Sequence, residues 1–157
     1  MNPELVELAS SLALDRPEQQ MLRWRFGLAC ALRVKHLLED PRALQCLATL
    51  QAFVAGTVDR EVLNEAAQEM ARVSNTHPGS QSIDGTGHAA VSATYAVANA
   101  LAGKALEAAG YAAYAAVYAY GGYALNDPSE FEAEFSWQVP ARSCDGSRAR
   151  LRRGIRG

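Results

Sequence analysis

The residues best able to do chemistry are few and scattered. The histidines are His36, His77 and His88. They form no His-x-x-x-His pair, and none stands at ligand spacing from a cysteine or aspartate. The cysteines Cys30, Cys46 and Cys144 are odd in number and widely spaced, with no Cys-x-x-Cys pair. That argues against both a zinc site and a disulfide framework. Gly85-Thr86-Gly87 resembles the opening of a phosphate-cradling loop, but such loops follow a strand, and no strand pattern is present. There is no Gly-x-Ser-x-Gly elbow to expose a nucleophile. No two carboxylates share an apolar setting that would split them into acid and base. The chain is therefore expected to be no enzyme, with no catalytic residue, cofactor or metal, and to act by binding.

The candidates for binding are of three kinds. Tyr111, Tyr114 and Tyr118 recur at helical spacing and share one face. Their bland reading is core and rim packing with hydroxyls at the surface; their functional reading is an aromatic contact strip. Glu61, Glu65 and Glu69 form an acidic ridge at i, i+4, i+8, which is ordinarily a solvated face and otherwise a partner-facing patch. Glu130, Glu132 and Glu134 alternate with Phe131 and Phe135 ahead of Trp137, a mixture suited to a docking edge. Arg23 falls in the middle of an apolar helical arc, where a buried guanidinium needs a carboxylate or carbonyl partner. It is expected to form a structural buried ion pair.

The elements that must position these groups are all helices. Asn2-Pro3 opens the first, with Leu5, Leu8, Ala9 and Leu12 on its apolar side. Asp15-Arg16-Pro17-Glu18 predicts a carboxylate capping box for a second helix running to about Glu39, its apolar arc made of Phe26, Cys30, Val34, Leu37 and Leu38. Asp40 as N-cap, Pro41 as first helical residue and Gly56 as left-handed stop delimit a third. A fourth begins near Thr57 or Asp59, with Val62, Leu63, Ala66, Ala67, Met70, Ala71 and Val73 expected to face inward. A long turn-forming connection spans 74–87. Two alanine-rich helices then lie between about Gly85 and Leu125, with no Asp, Glu, Lys or Arg between Asp84 and Lys104 or between Glu107 and Asp127. A membrane span needs ~20 strongly apolar residues with anchored ends. These segments hold mostly Ala, Gly, Tyr, Ser and Thr, so they read as the central pair of a water-exposed bundle, with small residues permitting close backbone approach. The segment after Pro128 is either a short final helix or extended.

With 157 residues, 49% hydrophobic and 20% charged, the chain reads as one globular all-α domain, a bundle of five to six helices over residues 1–141. Residues 142–157 hold six arginines against one aspartate, a net charge of +5. That leaves nine basic and sixteen acidic groups, −7, on the body. The basic tail is expected to be flexible and solvated, with an acidic-partner or nucleic-acid arm as the other reading. The acidic start, Met1-Asn2-Pro3-Glu4, does not read as a secretory signal, so a cytoplasmic location is expected.

Leu22-Arg23-Trp24, Cys30-Ala31-Leu32-Arg33-Val34, Asp40-Pro41-Arg42, Ala52-Phe53-Val54-Ala55-Gly56 and the alanine-rich helices after them together resemble the Imm-five-like group of immunity proteins from bacterial polymorphic-toxin systems. The resemblance covers roughly residues 20–125. The family's last helices carry histidines where this chain has Tyr111, Tyr114, Tyr118 and Tyr120, and the basic tail has no counterpart. The resemblance implies neutralisation of a cognate toxin by direct binding. The acidic, partly aromatic surface suits a basic toxin, with neither membrane nor nucleic acid as partner. The alternatives are a small-molecule-binding bundle with a cavity among Trp24, Phe26, Tyr95 and the later tyrosines, or a homodimer joined through the alanine-rich helices.

Overall fold

The computed structural model describes residues 2–76, 86–119 and 131–139. Among them are seven α-helices and no strand: α1 (Pro3–Ser11), α2 (Gln20–Arg33), α3 (Pro41–Ala55), α4 (Arg60–Thr76), α5 (Thr86–Leu101), α6 (Ala105–Ala119) and α7 (132–139). The all-helical class is as expected. The count exceeds five to six because the acidic segment after Glu130 coils into α7 instead of running extended. The basic tail, most of the connection over 74–87 and the end of the expected second alanine-rich helix lie outside the described residues.

Local signals set several boundaries as the sequence implies. The Asn2 side chain accepts from the Glu4 and Leu5 amides at 3.1 and 3.4 Å, and Pro3 follows as the first helical residue. Asp40 accepts from the Arg42 amide at 2.8 Å at the head of α3, and Gly56 closes that helix with φ +82°. Asp59 accepts from the Val62 amide at 3.0 Å at the start of α4.

The entry to α2 differs from its expectation. Pro17–Gln19 is a single 3-10 turn, and its cap, Arg16, makes no side-chain hydrogen bond, so the Asp15–Glu18 capping box does not form. Arg23 instead serves the carbonyls of this stretch. Its Nη1 donates to the Leu14 carbonyl at 2.6 Å and to the Arg16 carbonyl at 2.9 Å. Arg23 is thus half-buried on carbonyls, not one half of a buried ion pair. Among the described residues no carboxylate lies within ion-pair distance of it. The reason is geometric. The turn leaves carbonyls that need donors, and a guanidinium supplies charge-assisted bonds without a counter-ion. At its other end α2 stops at Arg33, short of Glu39. A 3-10 turn, Lys35–Leu37, follows, and Leu38 is extended at ψ 128°. The chain has to open before Pro41, whose ring excludes the helical conformation from the residue ahead of it.

α5 is the centre of the fold, packed by α2, α3, α4 and α6. Its buried side is small: Ala89, Ala90, Ala93, Thr94, Ala96, Val97, Ala100 and Leu101. The buried hydroxyl of Thr94 donates to the Ala90 carbonyl at 2.8 Å, so it leaves no unpaired donor. α6 answers with Ala105, Ala108, Ala109, Ala112 and Ala115. Larger side chains, among them Phe26, Leu47, Leu50, Leu63 and Met70, fill the space outside this seam. In α4 the burial falls on Leu63, Met70 and Val73, while Val62 and Ala71 are exposed and not inward as expected. Trp24 closes the lower end. Its Nε1 donates to the Leu101 carbonyl at 3.2 Å, Phe53 meets it edge-on at 4.9 Å, and the Arg60 guanidinium lies over its ring at 4.6 Å. No helix among the described residues is long and apolar enough to cross a membrane.

Alanine buries little area, so this seam is stabilised mainly by dispersion between closely apposed backbones. A second close approach, between α2 and α5, is marked by Gly27. A Cβ added there would sit 3.1 Å from the Cα of Ala100 and 3.2 Å from its Cβ. Backbone cannot step aside cheaply. Gly27→Ala is therefore expected to destabilise the protein by roughly 1–3 kcal/mol in chemical denaturation, although alanine is the better helix former. An unchanged or raised midpoint would contradict the close approach.

Candidate protein-docking face

α6 is buried on most of its circumference. Glu107, Tyr111 and Tyr114 are its exposed members before Ala119, and Tyr118 is half-buried one turn further along the same stripe. Their spacing of 4, 3 and 4 residues follows the helical period, so one line of side chains faces outward. Tyr111 and Tyr114 are 38% and 42% exposed, unusual for rings carrying so much apolar area. Each ring of the stripe is braced. Tyr111 stacks on Tyr95 with centroids 5.3 Å apart, Tyr118 stacks on His88 at 5.2 Å, and Tyr114 meets Phe131 edge-on at 5.3 Å. Phe131 stacks in turn on Phe135 at 5.6 Å. The strip is an ordered aromatic ladder across α5, α6 and α7. It would lose little side-chain entropy on binding, because the rings are already held.

α7 gives the ladder its third rail, and polar contacts hold it in place. Glu134 is 6% exposed and forms a two-pronged pair with Arg33: Nε to Oε2 at 2.6 Å and Nη2 to Oε1 at 2.8 Å. The Arg33 guanidinium also lies 4.7 Å from the centre of the Trp137 ring. Gln138, 1% exposed, donates from Nε2 to the Ala109 carbonyl at 2.9 Å. Its Oε1 accepts from Asn2 Nδ2 at 3.3 Å, and the same Asn2 amide donates to the Phe135 carbonyl at 3.1 Å. Asn2 therefore caps α1 with its oxygen and ties down α7 with its nitrogen. Every strong group in this cluster is paired, which is what makes a buried polar network tolerable.

Cys30 lies beneath this network and is fully buried. Burial pushes its thiol well above the usual range, the nearby Glu134 carboxylate adds to the rise, and Arg33 opposes it. Burial also raises Cys46, helped by Glu69 and Asp40. Both stay protonated and make poor nucleophiles. No group of three His, Cys, Asp or Glu among the described residues is placed to hold a metal ion.

The sequence-derived candidates are thus divided. Tyr111, Tyr114 and Tyr118 come together on one strip, with exposed Glu107 in line and exposed Glu132 on the neighbouring α7. Glu134 does not join them: it is an interior ion-pair partner, removed from any surface set by Arg33. Glu130 lies outside the described residues. Glu61 and Glu65 are exposed on α4, a separate helix packed on α3 and α5. Glu69 is half-buried there and bonds Arg72 at 3.0 Å, with Arg42 3.9 Å away. The ridge is thus partly neutralised by its own chain. The sequence marks Phe131 and Phe135 as part of a docking edge with the neighbouring acids, but it does not single out Arg33, Gln138 or Asn2 for this face. Phe131 reads as exposed in the sequence but is buried against Tyr114. Asn2 gave a helix-cap signal, but nothing local signals its second role.

Two concavities matter. A dimple of about 170 Å³ is lined by Gly110, Ala113, Tyr114, Phe131 and Phe135. A wider cleft of about 450 Å³ lies between α1, Arg23 and the start of α6, with Val6, Leu14 and Leu106 in its wall and Asp15, Lys104 and Glu107 also lining it. Of the residues expected to border a cavity, Trp24 and Phe26 are packed core residues, while Tyr114, one of the later tyrosines, lines the dimple. Comparison of the chain with protein-family models, with curated proteins and with solved structures finds no match in any of the three.

The α7 clamp is testable through the thiol under it. Glu134→Gln is expected to weaken α7 docking by roughly 1–3 kcal/mol, the usual worth of hydrogen bonds to a charged group. Mass spectrometry should show Cys30 alkylated by iodoacetamide severalfold faster in the variant than in the native chain, with Cys46 unchanged. Equal acceleration at both cysteines would point to global unfolding and against a local clamp.

Proposed function

We infer that this protein is an immunity protein that binds a cognate bacterial toxin and occludes its active surface, using the braced aromatic strip of α5, α6 and α7. The observation that carries this reading is the exposure of Tyr111 and Tyr114 on a strip whose neighbouring charges, Glu107 and Glu132, are acidic. Rigid, half-exposed tyrosines are typical anchors of protein interfaces. Acidic residues around them favour a basic partner and speed its encounter. The resemblance of the Arg23, Asp40 and Gly56 blocks to the Imm-five-like group supports the same reading independently of the surface.

A second reading, a small-molecule binder, is favoured by the cleft of about 450 Å³ beside Arg23, a volume within the range of ligand pockets. It is the weaker of the two. The cleft is open, and the Arg23 guanidinium is already engaged by two carbonyls.

The test takes the product of a large multidomain toxin gene immediately upstream of this chain's gene, the context the immunity reading requires. Purified chain and toxin are mixed at equal concentration, and complex formation and toxin activity are followed together. A one-to-one complex with activity lost in proportion is expected, and Tyr111→Ala with Tyr114→Ala should weaken it by a hundredfold or more, on the order of 3 kcal/mol. Toxin that stays fully active with no complex formed would end the immunity reading.

A further inference from the structure

Among the glycines whose surroundings are described, Gly27 and Gly110 sit in helix interiors, and only one has an internal reason to be there. Gly27 is required by the nearness of Ala100. Gly110, in the middle of α6, has helical backbone, and an added Cβ would meet nothing within 4 Å. A glycine inside a helix costs about 0.5–1 kcal/mol relative to alanine. Neither backbone geometry nor packing among the described residues offsets that at Gly110. What the missing side chain does create is the dimple floored by Gly110 and Ala113 and walled by Tyr114, Phe131 and Phe135, about 170 Å³ in volume. An apolar cavity of ~150 Å³ accepts benzene. The dimple is therefore the size of one leucine or phenylalanine side chain. None of the five lining residues is an Asp, Glu, His, Lys or Arg.

On the three helices that bear the strip the charged residues have one sign, and Lys104, three residues ahead of Glu107, is the cation beside them. α5, α6 and α7 contain no Lys or Arg, and their acids are Glu107, Glu132 and Glu134. Arg33 neutralises Glu134, which leaves Glu107 and Glu132 exposed on either side of the tyrosines. We propose that the dimple over Gly110 is a socket for one apolar side chain of a partner protein, and that arginine or lysine residues flank this anchor on the partner. The proposal rests on the reading that this face docks a protein, and it adds the chemistry that the partner must present. The anchor fills the space a Gly110 side chain would take. The flanking cations meet Glu107, Glu132 and the faces of Tyr111 and Tyr114.

The test uses the full chain and three capped pentapeptides, Arg-Arg-Leu-Arg-Arg, Arg-Arg-Ala-Arg-Arg and Glu-Glu-Leu-Glu-Glu, titrated at low salt and followed by amide NMR shifts. The leucine peptide should move Gly110, Tyr111, Tyr114 and Phe131 saturably. The alanine peptide should bind about tenfold more weakly or worse, and the acidic peptide not at all. Gly110→Leu should plug the socket and lower affinity at least about tenfold, while Gly110→Ala reports on folding and should raise the unfolding midpoint. Equal binding of the leucine and alanine peptides, or unchanged affinity in folded Gly110→Leu, overturns the proposal. So does a rise in peptide affinity when Leu151 and Ile155 are replaced by serine, because the occupant is then the chain's own arginine-rich end. A dimer that Gly110→Leu dissolves overturns it too, in favour of a second copy. Toxin still neutralised by Gly110→Leu removes the socket but leaves the immunity reading. Peptide binding by a chain that neutralises no toxin supports the socket and removes the immunity reading.

Discussion

Across the crossing of α2 and α5, Gly27 faces Ala100 so closely that a methyl group would push its neighbour by a few tenths of an ångström. That constraint propagates through the molecule. Helices this close contact through small residues, and the buried sides of α5 and α6 are mostly alanine. The larger side chains are displaced to the outside of the seam, where Trp24, Phe26, Leu47 and Leu63 close the core. A fold of this kind tolerates little change at its centre, because there are few flexible side chains there to absorb strain. The same seam leaves α6 buried nearly all round, so only one narrow stripe of it reaches the surface.

What that stripe can do depends on α7, which is attached by a different kind of interaction. Its contacts include a two-pronged ion pair to Arg33, a side-chain bond from Gln138 to the carbonyl of Ala109, and two bonds from Asn2. Polar networks of this sort contribute modest net stability but specify geometry, because any other placement leaves buried donors or acceptors unpaired. Here the geometry fixed is that of Phe131 and Phe135 against Tyr114. The bundle seam thus provides the platform, and the polar clamp aligns the aromatic wall on it.

The sequence made the local features legible and left the long-range ones hidden. Asp40, Pro41 and Gly56 mark α3 correctly because capping depends on residues a few positions apart. The periodicity of Tyr111, Tyr114 and Tyr118 likewise yields their common face. Arg23 was recognisable as a residue needing a partner, but whether carboxylate or carbonyl answered it depended on a turn with no helical signature. Glu134 illustrates the limit most clearly. In sequence it is one of three like acids in an exposed-looking run. Its burial follows from Arg33, 101 residues away, and no periodicity connects the two. Gly110 could have been noticed as a lone glycine in an alanine helix, but only the open space above it separates it from Gly27.

The functional account therefore narrows from all acidic and aromatic residues to one face. The ridge of Glu61, Glu65 and Glu69 is partly answered by Arg42 and Arg72, whereas Glu107 and Glu132 flank rings already ordered for contact. Hydrogen exchange on the chain, free and saturated with the proposed toxin partner, distinguishes the two surfaces most directly. New protection over residues 107–118 and 131–135, with α4 unchanged, is the result this account requires. Protection confined to residues 60–72 of α4 would contradict it.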